Sequence, residues 1–229
     1  MKVCDNVYSV KNKATNTILI MEDTITLIDA GMRGSVKTIA SFLGEQARSP
    51  DEVSLIIITH GHFDHIGGLA EIKALTGARV AIHRNDVSDT SRPPPYPGYT
   101  RPLFRLPFLR RWHQRFLLSA EDVDLPLEGD EVLEPLGGLQ IIHTPGHTPG
   151  SISLYSPARK LLIVGDALSK PFRDPNLPYR MISSNHQQAL ESVKLLTQLE
   201  VDILCFGHGR PIFKDASTRL RELVRKRRL

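Results

Sequence analysis

The first third of the chain alternates short β-branched apolar runs with segments of helical spacing. Two apolar runs at residues 17–20 and 24–29 flank a polar turn, which predicts a β-hairpin. Residues 55–59 form a continuous apolar run of strand length, typical of a strand buried on both faces. Apolar periodicity also predicts three further elements, which are helices over residues 34–43 and 67–76 and a strand over residues 79–82.

The second half of the chain repeats this alternation. Strands and helices that alternate along a chain of 229 residues predict an α/β (α+β) fold built as a single domain. The predicted elements are strands over residues 139–143, 151–155, 160–164 and 202–206, a helix over residues 186–199 and a basic C-terminal helix.

The middle of the chain departs from this pattern. Residues 92–98 are proline-rich and predict irregular structure. Phe108, Trp112 and Phe116 then recur every four residues among arginines, which predicts a short amphipathic basic helix. We expect an insertion at about residues 91–119. It forms either a lid over a substrate or an element that packs on the domain body or on a dimer partner.

Composition narrows the class of protein. The chain is 41% hydrophobic and 24% charged, which is ordinary for a globular domain. The N-terminus shows no apolar signal segment and no run is long enough to cross a bilayer, so we expect a cytoplasmic protein. The net charge of +4 is modest and clustered, so nucleic acid is not an expected partner. The partners that we still expect are a small-molecule substrate and, as an option, a second copy of the chain in a homodimer.

The densest chemistry lies directly after the buried strand, in the segment THGHFDH. Its four metal-competent side chains are His60, His62, Asp64 and His65. Imidazole and carboxylate groups are the usual ligands of zinc and other first-row metals. Three of the nine histidines of the chain fall within these six positions. The segment therefore predicts a metal site.

Three further candidates lie downstream, each close to the end of a predicted strand. They are His147 in TPGHTPG, Asp166 in VGDAL and His208 in FGHGRP. Taken singly, they are compatible with a turn histidine, a helix-capping aspartate and a loop histidine. Strand ends are rigid supports whose loops direct side chains into a shared cleft. Their common position therefore places all three beside the first cluster.

The order of these segments resembles the metallo-β-lactamase superfamily of hydrolases. The resemblance is carried by THGHFDHIGG, HTPGHTPGS, VGDAL and FGHG, and it extends from LIDAG to FGHGRPI over nearly the whole chain. It implies a four-layer αββα sandwich, formed by one domain over residues 1–229, with the site at one edge. It also places Asp29 of LIDAG near the metal-binding loop, in either a supporting or a plain turn-forming role.

The resemblance implies two divalent metal ions, expected to be zinc, with iron or manganese as alternatives. One metal would be held by His60, His62 and His147, and the second by Asp64, His65 and His208, with Asp166 bridging the two. Two cations roughly 3.5–4 Å apart lower the pKa of a shared water and supply hydroxide at neutral pH. We therefore expect a dinuclear metal-dependent hydrolase. Asp64 and Asp166 are its catalytic carboxylates, and Asp64 could orient the nucleophile or pass a proton.

Positions at which the chain departs from known subfamilies narrow the range of expected substrates. Asp166 argues against β-lactam hydrolysis, because true β-lactamases usually lack the bridging aspartate. Acyl-homoserine lactonases carry a tyrosine where this chain has Ser169, although Tyr179 lies near in sequence. Glyoxalase II proteins resemble the chain around Asp166 but continue into a substrate domain that is not evident after His208.

An ester, thioester or lactone is therefore the expected substrate, with a phosphodiester or phosphotriester as the alternative. A mononuclear iron oxygenase that resembles the persulfide dioxygenases is a second alternative. It uses the first ligand set alone. The complete second ligand set favours the hydrolase.

Overall fold

The structure is a computed structural model that describes residues 1–87, 106, 118–170 and 174–227. Within these residues, the first sheet has seven strands that lie side by side in chain order. Antiparallel hairpins join the first four strands, and the last four run parallel to one another. The strands are β1 (Lys2–Cys4), β2 (Val7–Asn12), β3 (Thr15–Met21), β4 (Ile25–Ile28), β5 (Val53–Ile58), β6 (Arg79–His83) and β7 (Leu125–Leu127).

The second sheet has five strands in the order β12-β11-β10-β9-β8 across the described part of the chain. Its pairs are antiparallel except for β11 with β12, which run parallel. The strands are β8 (Val132–Leu133), β9 (Leu139–His143), β10 (Ile152–Ser156), β11 (Leu161–Ile163) and β12 (Ile203–Cys205).

The helices cover the outer faces of the two sheets. In the described ranges they are α1 (Ser35–Glu45), α2 (Phe63–Ile66), α3 (Leu69–Thr76), α4 (His186–Leu196) and α5 (Ala216–Arg227). None of the helices in these ranges has the length and apolar character needed to cross a membrane.

Three apolar cores separate four layers. The first joins the outer face of the first sheet to α1 and α3, through side chains such as Ile39 and Ile72. The second lies between the sheets and contains Ile20 and Leu154. The third joins the second sheet to α4 and α5, with Leu220 among its members. This arrangement confirms the expected αββα sandwich.

Strand β5 shows how the sequence produces two cores from one strand. Because side chains alternate between the faces of a sheet, Leu55 and Ile57 point into the core between the sheets. Ile56 and Ile58 point into the core beneath the helices. A strand with two buried faces needs an unbroken apolar run, which is the pattern that residues 55–59 show.

The structure contains strands that the apolar pattern did not predict. In β2, Ser9 and Asn12 are buried polar residues that interrupt the pattern. Strands β7 and β8 have three and two residues, too few to show a period. Asp64 and His65, which follow the predicted buried strand, lie in the short helical turn α2. The aromatic part of the expected insertion, including Trp112, lies outside the described residues.

Removing side-chain volume between the sheets should destabilise the whole domain. Ile57 is fully buried there, so Ile57→Ala should lower the free energy of unfolding by about 2–5 kcal/mol. Leu75→Ala is the control, because Leu75 is 47% exposed and its truncation should change stability by about 0.5 kcal/mol or less. Chemical denaturation measures both values. Equal effects of the two substitutions would contradict the proposed packing.

Candidate metal centre

The seven candidate side chains meet at one edge of the sandwich, and both sheets contribute. His60 and His62 follow β5 of the first sheet, and Asp64 and His65 lie on the adjoining turn α2. The second sheet supplies the other three, from the β9–β10 loop and from the ends of β11 and β12, which are His147, Asp166 and His208. The strand-end positions expected from the sequence are thus the positions that converge.

The ligand atoms form overlapping groups. Within each group, one candidate ligand atom per residue lies within 4.8 Å of the others. Two of the groups have the same members as the two triads expected from the sequence, and a third group links them. The groups are His60/His62/His147, Asp64/His65/His208 and His60/His65/Asp166. We refer to the first two as the first triad and the second triad.

Asp166 lies between the two triads. Its Oδ2 is 3.6 Å from His147 Nε2 of the first triad and 3.3 Å from His208 Nε2 of the second. Its other oxygen, Oδ1, is 3.6 Å from His65 Nε2. One carboxylate therefore faces histidines of both triads, which is the geometry that a bridging ligand requires.

Several of these ligand atoms are buried without a hydrogen-bond partner among the described residues. They are His60 Nε2, His65 Nε2, both ring nitrogens of His147, and Asp166 Oδ1. Leaving a buried polar atom unsatisfied costs roughly 1–3 kcal/mol, so a cluster of them needs a compensating ligand. Nitrogen and carboxylate donors that converge within coordination range fit a divalent cation such as zinc. The residues present therefore fit the metals that the sequence implied.

Hydrogen bonds behind the histidines direct the correct ring atom toward the cluster. His65 Nδ1 donates to Asp29 at 2.7 Å, and His208 Nδ1 donates to the Ala14 carbonyl at 3.0 Å. The Thr59 hydroxyl donates to Asp29 at 2.9 Å, so it accepts from His60 Nδ1 at 3.1 Å. These bonds orient each ring so that Nε2, the nitrogen that can bind a metal, faces the cluster.

Asp29 supports the site from the end of β4. Besides His65, its carboxylate accepts from the Thr59 backbone N–H at 2.8 Å. Its φ of 64° lies in the left-handed region, where aspartate is one of the better tolerated residues. This geometry matches the supporting one of the two roles expected for Asp29.

The β2–β3 turn fixes the loop that carries His208. Asn16 Nδ2 donates to the carbonyls of Phe206 and Gly209, at 3.0 and 2.7 Å, on either side of His208. Thr15 Oγ1 donates to the Asp64 carbonyl at 3.0 Å. These contacts were not predicted, because a polar turn carries no local sequence pattern that indicates which distant loop it contacts.

Close packing at Gly207 also shapes the second triad. A Cβ at this position would collide with Asp166 Oδ1 and would lie 2.7 Å from His65 Cε1. A side chain there would displace two candidate ligands, so the glycine of FGHG is needed for their approach.

The first triad favours neutral histidines. Burial lowers the pKa of His60 well below its ordinary value, and the neighbouring His65 and His62 rings lower it further. Burial and His147 lower the pKa of His62 to about 3. Burial likewise lowers the pKa of His147. Neutral rings at pH 7 keep the lone pairs that bind a cation.

The second triad is electrostatically different. Burial lowers the pKa of His65, but Asp29 and Asp166 outweigh it and raise the pKa to about 9. Hydrogen bonds to Asp166 and Asp64 raise the pKa of His208 to about 11. Burial raises the pKa of Asp166, but the adjacent His65 and His208 hold it well below its ordinary value. Carboxylates thus concentrate negative charge on one side of the centre.

The two sides of the centre also differ in exposure. His60, His65 and His147 are buried, whereas the side chains of His208 and Asp64 are 39% and 19% exposed. The centre is therefore accessible to solvent on the side that carries His208 and Asp64.

Two other histidines near the site do not join a ligand group in the described chain. His143 donates to the Pro149 carbonyl at 2.9 Å and stacks on His83 at a ring distance of 4.0 Å. His83 contacts the Glu128 carbonyl at 3.0 Å. These contacts give His83 and His143 structural roles beside the centre.

Sequence patterns did not identify Asp86 as a functional residue. Its carboxylate lies between the loop that carries His60 and His62 and the loop that carries His147, and it accepts hydrogen bonds from both. The strand-end rule that selected the other candidates applies to Asp86 as well, since it follows β6, the strand paired with β5. A single aspartate outside the ligand motifs gave no further signal.

The fold and the site together define a class of two-sheet metallo-hydrolases. Comparison with known proteins gives the family of this chain. Residues 11–208 match the family model described as the metallo-beta-lactamase superfamily. The chain belongs to that superfamily, as the sequence motifs implied.

Individual relatives support the assignment. The probable metallo-hydrolase YflN of Bacillus subtilis is 30% identical over 220 residues, covering 89% of this chain and 82% of YflN. A hydroxyacylglutathione hydrolase of Pseudomonas aeruginosa is 36% identical over 138 residues, covering 59% of this chain and 40% of that enzyme. The crystal structure of a metallo-beta-lactamase family protein from Thermus thermophilus superposes with a TM-score of 0.73 at 22% identity. It covers 99% of this chain and 81% of that protein, and this likeness concerns the fold.

The lowered pKa values in the first triad and the raised pKa values in the second predict a pH at which the metal-free protein is most stable. His60 and His62, with lowered pKa values, destabilise the fold at acid pH, so stability should rise as pH rises to the unfolded value of 6.5. His65 and His208, with raised pKa values, contribute stability that is full below 6.5 and is lost through about 9 and about 11. Thermal unfolding in chelator should therefore show its highest midpoint close to pH 6.5.

His208→Asn should flatten the decline on the alkaline side of this profile. His186→Asn is the control, because His186 begins α4, outside the ligand groups. A midpoint that rises steadily to about pH 9 in the wild-type protein would contradict the charge distribution that we describe.

Proposed function

We propose that this chain is a dinuclear metal-dependent hydrolase that cleaves an ester, thioester or lactone bond, with a thioester as the preferred substrate class. The observation that carries the proposal is the position of Asp166. It lies 3.6 Å from His147 and 3.3 Å from His208, so one carboxylate faces both triads. A mononuclear site has no need of the second triad, which favours the hydrolase over an iron oxygenase.

The ligand set suits two zinc ions, one at each triad, with Asp166 shared between them. When bound, two such cations would lower the pKa of a common water to supply a hydroxide nucleophile and would stabilise developing negative charge on the substrate. The chain contributes the geometry for this chemistry. Asp29, Thr59 and the Ala14 carbonyl hold three imidazole rings in the orientation that turns Nε2 inward.

Asp64 is the residue best placed to handle a proton. Its Oδ2 lies 3.3 Å from His208 Nε2, on the more exposed side of the centre. Burial raises its pKa, but the His208 hydrogen bond and the His65 charge hold it below its ordinary value. An ionised carboxylate at the entrance can orient a water molecule and pass a proton toward a leaving group, provided that metal binding leaves one oxygen free.

A thioester is favoured by the relatives and by the site. The Pseudomonas relative is a hydroxyacylglutathione hydrolase, and the acyl–sulfur bond of an acylglutathione is a thioester. Ser169 occupies the position of the lactonase tyrosine and is engaged elsewhere, donating to the Leu177 carbonyl at 2.8 Å. Asp166 argues against β-lactam hydrolysis. On this basis we rank a lactone below a thioester and expect no β-lactam hydrolysis.

A substrate panel tests the reaction class. Zinc-loaded protein should be assayed on an acylglutathione, an acyl-coenzyme A, an aryl ester, a homoserine lactone, a β-lactam and a phosphodiester. We expect the thioesters to give the highest kcat/KM. Turnover of the phosphodiester alone, or oxygen consumption by protein that purifies with one iron, would overturn the proposal.

Removing the shared carboxylate tests the dinuclear centre. Asp166→Ala should abolish turnover and release at least one of two zinc equivalents, because both triads lose a common ligand. Asp202→Ala is the matched control, since Asp202 is exposed and lies outside the ligand groups. Elemental analysis and the panel assay measure both effects. Full activity in Asp166→Ala would contradict the bridging assignment.

A further inference from the structure

A single carboxylate joins the two loops that supply the first triad. Asp86 accepts from the Gly61 backbone N–H at 2.8 Å, and Gly61 lies between His60 and His62. It also accepts from the Thr148 hydroxyl at 2.5 Å, and Thr148 follows His147. The Gly150 backbone N–H donates to it at 2.6 Å. All three histidines of the first triad are thus within one residue of a donor to Asp86.

The rest of the local structure is arranged around this carboxylate. Asp86 ends a helical turn that follows β6, and the His83 side chain accepts from the Asn85 N–H within that turn. A Cβ at Gly150 would lie 2.6 Å from the Asp86 nitrogen and 2.7 Å from its Cγ. Glycine at position 150 is therefore required for the carboxylate to reach the loop.

The Thr148 hydroxyl is held with its proton directed at Asp86. Ser151 Oγ lies 2.7 Å from Thr148 Oγ1 and accepts from the Thr148 backbone N–H at 3.0 Å. Since the Asp86 carboxylate only accepts, Thr148 donates to Asp86 and accepts from Ser151. This chain of hydrogen bonds fixes both sides of His147.

Asp86 itself is not placed to bind a metal. It belongs to none of the ligand groups formed by the described residues, and its two oxygens are engaged by the three donors of the loops. Its effect on the centre must therefore act through the backbone positions of the histidines.

We propose that Asp86 is a positioning residue that holds His60, His62 and His147 in register as the first metal site, and that it has no corresponding role at the second triad. The inference rests on the proposed function, since it assumes that the two triads bind metal. Partners behind metal ligands typically contribute about 10–100-fold to metal affinity. Asp86 acts in this way on a whole triad, because it joins the loops of the first sheet and the second sheet.

Zinc affinity is the direct readout. In Asp86→Asn, the amide has similar size but presents N–H donors to N–H donors, so competition with a chromophoric chelator should show about 10–100-fold weaker binding of one zinc equivalent. The other equivalent should be unchanged. Asp124→Asn is the matched control, because Asp124 accepts from the Val80 backbone N–H at 2.9 Å on the far side of β6. It should bind both equivalents as the wild type does.

Backgrounds with one triad removed assign the effect to a site. In His208→Ala, which leaves the first triad complete, adding Asp86→Asn should weaken the remaining zinc by the same factor. In His62→Ala, which leaves the second triad complete, it should have no effect. Equal losses in the two backgrounds would overturn the assignment to the first site.

Thr148→Val is a milder second variant that removes one of the three hydrogen bonds and keeps the side-chain shape. It should weaken the same zinc equivalent by a smaller factor, and the double variant should be no weaker than Asp86→Asn alone. It keeps the test valid if Asp86→Asn fails to fold. Failure of wild-type protein to bind zinc would overturn the proposed function, whereas two zinc equivalents with unchanged affinity in Asp86→Asn and Thr148→Val would overturn only the role of Asp86.

Discussion

The geometry of the metal centre depends on the packing of two sheets face to face. The core between them holds apolar side chains of both sheets, such as Ile57 and Leu154. Because this packing fixes the strands relative to one another, the ends of β5, β11 and β12 come to the same edge. Each strand end carries a different part of the site, so neither sheet alone contains a complete centre. A backbone bond from the Ile152 N–H to the Thr59 carbonyl, at 2.9 Å, joins the two sheets directly beneath it.

The burial of polar groups at this edge is costly without a bound cation. Imidazole nitrogens of His60, His65 and His147 face one another without hydrogen-bond partners among the described residues. Behind two of these rings the other nitrogen has a partner, Thr59 for His60 and Asp29 for His65. Neither ring nitrogen of His147 has one among the described residues. Rings that are held from behind while their inward nitrogens stay open are arranged for a ligand. These unsatisfied polar groups lower the stability of the metal-free fold, which is typical of a functional centre.

The two triads are chemically unequal although one carboxylate joins them. The first is made of three histidines whose pKa values are lowered by burial. The second lies among Asp29, Asp64 and Asp166, which raise the pKa values of His65 and His208. Burial of the first triad therefore favours neutral imidazoles, whereas the carboxylates around the second triad favour protonated ones.

Sequence patterns identified the parts of this structure that short segments encode. The apolar run before His60 predicted a strand buried on both faces, and β5 has its side chains in two cores. The spacing of His60, His62, Asp64 and His65 predicted a cluster of ligands, and the structure brings these four together with the three downstream candidates.

Sequence patterns did not predict the long-range contacts. Asn16 meets the loop of His208 across more than 190 positions of the chain, and Asp86 meets Gly150 across 64. Such pairs are set by the sheet packing and leave no local pattern. Strand β2 was missed for a related reason, since the amide nitrogen of its buried Asn12 donates to Thr17 of the neighbouring strand.

The central claim is that both triads bind metal, with Asp166 between them. Anomalous scattering from crystals of the zinc-loaded protein, recorded on either side of the zinc absorption edge, tests it most directly. The account predicts two peaks roughly 3.5–4 Å apart, one within His60, His62 and His147 and one within Asp64, His65 and His208, with Asp166 touching both. A single peak, or a second peak away from these residues, would contradict it.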